Sequence, residues 1–166
     1  MAYITTKSIG ENPKEEASAE GGGFYALSDT AQIIKKGENI ISFGRLRSSG
    51  SAFLFTRGSE NIYILTPGLY RVFYRIILPS VPDAFGEFAI GLKLGGRWLF
   101  ESAVGERAPY RAVLPVSNEF SLRVSGKACL NLAVFSDLAE PVPLSTRLAG
   151  VEITNAAIAI HQFNLT

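Results

Sequence analysis

From Phe24 onward the apolar residues of this chain come in short pieces divided by turn signals, without the three-to-four spacing of a helix. The clearest piece is Leu69-Tyr70-Arg71-Val72-Phe73-Tyr74-Arg75-Ile76, launched by Pro67-Gly68. Strand side chains alternate, so Tyr70, Val72, Tyr74 and Ile76 share one face while Arg71 and Arg75 take the other. One face enters a core; the other meets water or a partner. Further strands are predicted over 24–27, 39–43, 52–56, 61–65, 69–78, 87–94, 119–124, 128–135 and 156–163. The separators are turn-forming: Lys36-Gly37-Glu38, Ser48-Ser49-Gly50, Arg57-Gly58-Ser59, Gly95-Gly96 and Ser125-Gly126-Lys127, the last read as a hairpin turn. Many short strands and no helical period predict an all-β antiparallel sandwich or barrel.

Alternation is clean where Phe88, Ile90, Leu92 and Leu94 share a face, and where Phe120, Leu122 and Val124 oppose Glu119, Ser121 and Arg123. The last strand differs. Ala157, Ala159 and Phe163 on one side are nearly as apolar as Ile158 and Ile160 on the other, the pattern of a strand covered on both faces. In a small sandwich the second cover is expected from a neighbouring subunit. The stretch 95–115 is the longest polar excursion and reads as a loop.

Residues 1–23 are polar, acidic and glycine-rich in their second half, with too few apolar side chains to offset the entropy of ordering them. They are expected to form a flexible arm, with one domain over 24–166. The full 166 residues suit a single well-buried domain. Composition sharpens this: 47% hydrophobic against 19% charged is apolar for a lone subunit of that size. A net charge of +1 supplies no field for nucleic acid or anionic lipid, so neither is an expected partner. No apolar run is long enough to span a bilayer as a helix, and the first residues lack the basic start and apolar core of a secretory signal. Synthesis in the cytoplasm without a signal peptide is expected. Cys129, the one cysteine, lies between Ala128 and Leu130 and reads as a small hydrophobe.

Four stretches resemble the C1q and tumour-necrosis-factor (TNF)-like jelly rolls, in particular the bacterial branch of BclA-like domains and exosporium basal-layer proteins. These are Phe24 to Ser28 with Gly37 to Phe43, Ile62 to Tyr74 with its Gly68-Leu69-Tyr70 turn, Phe88 to Gly96, and Ala156 to Phe163. The resemblance implies an antiparallel jelly-roll sandwich assembled as a tight homotrimer. It further implies that Tyr70, Val72, Tyr74, Ile158, Ile160 and Phe163 are core or trimer-interface residues, close to a threefold axis. No Gly-X-Y collagen repeat occurs in 1–23, so the chain is more similar to the basal-layer relatives than to filament-tip members.

Candidate chemistry is sparse. His161, the one histidine, lies in the apolar closing strand with no nucleophile elbow elsewhere, so a structural or interface role is read. Asp29, Asp83 and Asp137 are isolated, and no spacing matches a metal site. No catalytic residue, cofactor or metal is expected. Arg71, Arg75, Arg97, Arg107, Arg111 and Arg123 read first as strand-face charges paired with glutamates on neighbouring strands. A ligand surface for glycans, built from Arg97, Trp98, Tyr110 and Arg111, is the second reading. The expectation is therefore a non-enzymatic, self-assembling protein of the bacterial spore surface, exosporium or coat, whose partners are its own copies, other spore-surface proteins or glycans. The runner-up is a glycan- or receptor-binding trimeric head, lectin-like or from a phage tail fibre.

Overall fold

A computed structural model describes residues 22–81, 85–109 and 113–163. The expected arm therefore falls, apart from its last two residues, outside the described residues, as do Asp83, Tyr110 and Arg111. Fifteen strands occur among the described residues, and no helix. In chain order they are β1 Gly23–Ser28, β2 Ile33–Ile34, β3 Gly37–Ile40, β4 Arg45–Ser49, β5 Phe53–Phe55, β6 Ile62–Ile64, β7 Gly68–Leu78, β8 Glu87–Leu94, β9 Arg97–Arg107, β10 Leu114–Val124, β11 Ala128–Ser136, β12 Val142–Pro143, β13 Arg147–Leu148, β14 Val151–Glu152 and β15 Ala156–Phe163.

All pairings are antiparallel, and the long strands form two sheets. The first runs β10-β7-β15-β1-β4; the second runs β5-β6-β11-β8-β9, with β3 also on β11. Edges β4 and β5 meet at one open side of the sandwich, and β10 and β9 at the other. Two short ribbons, β12 with β2 and β13 with β14, complete the structure.

Period-two patterning decides which side chains fill the space between the sheets. From β7 these are Tyr70, Val72, Tyr74 and Ile76; from β15, Ile158 and Ile160; from the facing sheet, Ile62, Ile64, Ile90, Leu92, Leu130, Leu132 and Val134. Every one of them is fully buried. The two buried tyrosines each need a partner for the phenol, because an unpaired buried hydroxyl costs about 1–3 kcal/mol. Tyr70 Oη donates to the Thr66 carbonyl at 2.7 Å and lies 2.8 Å from Thr66 Oγ1. Tyr74 Oη reaches across the core to the Ser102 carbonyl at 2.6 Å, tying the first sheet to the edge of the second.

Three sequence expectations change. The segment 125–127 is not a hairpin turn, because β10 belongs to the first sheet and β11 to the second; it carries the chain between the sheets. The stretch 95–115 is not a loop: β9 occupies Arg97–Arg107, closing the β8–β9 hairpin through Gly95 and Gly96, whose φ of 57° and 80° suit a two-residue turn with both central residues left-handed. As an edge strand β9 buries few side chains, which is why its sequence looked polar. Edge strand β4, Arg-Leu-Arg-Ser-Ser, escaped notice for the same reason.

The β8–β9 ladder also carries a large bulge. Ile90 pairs with Val104 but Leu92 pairs with Leu99, so four residues of β9, 100–103, stand opposite Gly91 alone. Ser102 fills the gap: fully buried, its Oγ accepts from the Leu92 amide at 2.8 Å and donates to the Leu99 carbonyl at 2.6 Å. Gly91 suits this close approach, since a Cβ would lie 3.1 Å from the Ala103 backbone and 3.2 Å from the Trp98 ring and would press both neighbours outward. The bulge drives Phe100 outward, where it is 79% exposed.

Candidate assembly face

Residues of the first sheet that do not enter the core line its outer surface in register. One row crosses Phe73 on β7, Ala159 on β15 and Tyr25 on β1; the next crosses Arg75, Ala157 and Leu27, of which Ala157 and Leu27 are already buried within the single chain. Phe73 and Tyr25 are 42% and 40% exposed, large for side chains in the middle of a sheet. Adjacent strands lie about 4.8 Å apart, so two aromatic walls stand roughly 10 Å from each other across the Ala159 methyl group. The result is a shallow apolar trough.

Charge surrounds it on the β7 side. Arg71 Nε makes a 2.7 Å ion pair with Glu119 Oε1 on β10, and the guanidinium lies 4.7 Å from the centroid of the Phe163 ring. His161, exposed, is opposite Arg71 on one side and Gly23 on the other. Gly23 leaves room for the ring, because a Cβ there would lie 3.1 Å from His161 Nδ1. No acid or nucleophile touches the imidazole among the described residues. Nor is any group of three or more His, Cys, Asp or Glu placed there to hold a metal ion.

The structure separates the two roles anticipated for the threefold core. Tyr70, Val72, Tyr74, Ile158 and Ile160 are each 0% exposed within a single chain, already covered by the second sheet, so they have no surface left for a partner. Of that set only Phe163 faces outward, half-buried beside Arg71. The face open to a neighbour is carried instead by Phe73, Ala159 and Tyr25. Phe73 was legible as a residue on the Arg71 side of the strand, but two flanking arginines masked the apolar character of that side.

Of the anticipated ligand surface, Tyr110 and Arg111 lie outside the described residues, and Trp98 and Arg97 lie at the start of β9. Trp98 is half-buried, and its indole N–H donates to Glu38 Oε2 at 2.6 Å. Lys93 Nζ ion-pairs with the other oxygen of the same carboxylate. The indole is thus tethered to its own sheet, while Arg97 next to it is exposed and makes no ion pair among the described residues. The Lys93 hydrogen bond foremost, with help from Trp98, holds the Glu38 carboxyl below its ordinary value of 4.5, against an opposing effect of desolvation that is larger than the Trp98 contribution. A depressed carboxylate contributes stability that is present above its unfolded value and disappears as pH falls through the folded one. A Glu38→Gln variant is therefore expected to be less stable than the parent at neutral pH, with the gap closing below pH 4.5 in parallel urea titrations. Burial pushes the Cys129 thiol up, and its Sγ lies 3.4 Å from Asn61 Oδ1.

No family model and no curated protein matches the sequence. Solved structures do match. Murine APRIL at pH 8.5 superposes with a TM-score of 0.53 at 10% identity, covering 84% of this chain and 97% of that one. Murine APRIL at pH 5.0 and at pH 8.0 each give 0.52 at 8% identity with the same coverage. Identity this low speaks to architecture alone. The order of strands in two antiparallel sheets, together with that likeness, makes the chain a TNF-like jelly roll.

Proposed function

We propose that the protein is a non-enzymatic structural subunit that assembles as a homotrimer through the outer face of its first sheet. The observation that carries this reading is the trough at Ala159 walled by the exposed Phe73 and Tyr25, an apolar surface that a single chain leaves open. Covering it contributes about 2.5 kcal/mol per 100 Å² of apolar area removed from water, before the costs of association. A closed ring of three needs two different surfaces on each subunit, because every contact around a threefold axis is head to tail. The complement is Phe100, which the β9 bulge holds out from the edge of the second sheet. Phe100 of one copy seats in the trough of the next.

The trimer serves as a building block of a proteinaceous shell, and the sequence resemblance to BclA-like and exosporium basal-layer domains supports a bacterial spore surface, exosporium or coat, as its location. Support for the non-enzymatic reading is chemical: among the described residues the lone histidine has no acid or nucleophile beside it, and burial raises the Cys129 thiol. In the rival reading, a trimeric head that binds glycans or a receptor, the Arg97 and Trp98 surface does the work. Trp98 is half-buried and its one N–H is taken by Glu38, so that donor is not open to a sugar. The discriminating experiment pairs negative-stain electron microscopy of concentrated protein with a glycan array. Ordered sheets or clusters without array hits support the shell; array hits that disappear in Trp98→Ala would replace it with the binding head.

A further inference from the structure

At the open side where edge strands β4 and β5 meet, Gly44, Arg45, Leu46, Arg47 and Arg57 line a notch of about 210 Å³. Two local devices bring the three arginines to one notch. The β1–β4 ladder shifts register between Tyr25, which pairs with Ser48, and Ala26, which pairs with Leu46; Arg47 is the extra residue, and such a bulge re-aims its side chain. Arg57 sits in the β5–β6 turn, which is clasped to the start of β4 by reciprocal backbone bonds: the Gly58 amide donates to the Phe43 carbonyl at 2.8 Å, and the Phe43 amide to the Ser59 carbonyl at 3.1 Å. Gly58, at φ 80°, allows that turn.

The charges do not cancel. Arg45 is paired with Asp29 at 3.1 Å, whereas Arg47 and Arg57 make no ion pair among the described residues. Three cations and one anion leave the notch at about +2, on a chain whose net charge is only +1. Like charges lining one concavity repel, and a bound anion would relieve that repulsion. Gly44 keeps the site open: a Cβ there would come no closer than 3.8 Å to anything, the nearest atom being Asp29 Oδ1.

We propose that this notch binds a single tetrahedral oxyanion, sulfate or phosphate, either free or as the terminal ester of a sugar. Guanidinium forks match oxyanion geometry, and charge-assisted bonds of this kind are the strong ones. The confined patch and near-neutral chain suit one small anion rather than a polyanion. The inference is independent of the trimer.

Amide spectra of the full chain, titrated with sodium sulfate, sodium phosphate, glucose 6-sulfate and glucose 6-phosphate against chloride at matched ionic strength, test it. Saturable shifts are expected at Gly44, Arg45, Leu46, Arg47 and Gly58. Binding should weaken about tenfold or more in Arg47→Ala/Arg57→Ala and persist in Arg107→Ala/Lys127→Ala, which removes the same charge elsewhere. Equal affinity for free anion and ester marks a free-anion site, and tighter ester binding marks a sugar-borne one; both support the proposal. Absence of saturation by all four probes, or equal weakening in both double variants, overturns it.

Discussion

An Ala159→Arg variant is expected to run as a monomer at micromolar concentration, with an unchanged β-type circular dichroism spectrum. Ala159 is the floor of the trough between Phe73 and Tyr25, on the face turned away from the core. In a single chain the new guanidinium projects into solvent, so the sandwich loses nothing. In the trimer it would fill the seat of Phe100 and bury an unpaired charge, a cost of several kcal/mol per interface; at about 3 kcal/mol the association constant falls more than about a hundredfold. Thermal midpoints supply the internal control. The parent's midpoint should rise with protein concentration by mass action, and the variant's should not. A variant that remains trimeric would remove the trough from the interface.

The largest effect on stability is expected at Tyr74. Truncation to alanine leaves a cavity in a fully buried position and should cost about 3–5 kcal/mol in denaturant titrations. Tyr74→Phe isolates the hydroxyl. It should cost about 1–3 kcal/mol at most, because the Ser102 carbonyl keeps a second donor, Asn118 Nδ2, at 3.1 Å. The hydroxyl has a role beyond the core: it anchors the bulge that holds Phe100 outward. Tyr74→Phe should therefore weaken self-association without touching the interface. Loss of stability with undiminished association would uncouple the bulge from assembly.

How far the amino-acid sequence reached depends on how each strand is buried. Strands β8 and β15 have the bounds that alternation and turn signals predicted, because each places large apolar side chains between the sheets at every second position. Edge strands β4 and β9 were not legible, since a strand with one open edge and few inward residues reads as a polar loop. The turn at 125–127 illustrates a different limit. Local composition identifies a reversal of direction but not whether the next strand pairs with the last or crosses to the other sheet. At the site, alternation could say that Tyr70 and Tyr74 face an apolar environment, not whether a second sheet or a second subunit provides it; the fold answers with the second sheet. The arginine notch had no sequence signal, because it joins a bulge on β4 to a turn thirteen residues from Gly44 at its far end only through the sandwich edge.

Assembly rests on two surfaces: an open apolar trough on the outer face of the first sheet and a phenylalanine that protrudes from β9 at the edge of the second. Size-exclusion chromatography with light scattering, at micromolar concentration and moderate salt, tests it most directly. A molar mass three times that of the 17.9 kDa chain is the predicted result, and a mass equal to one chain would contradict it.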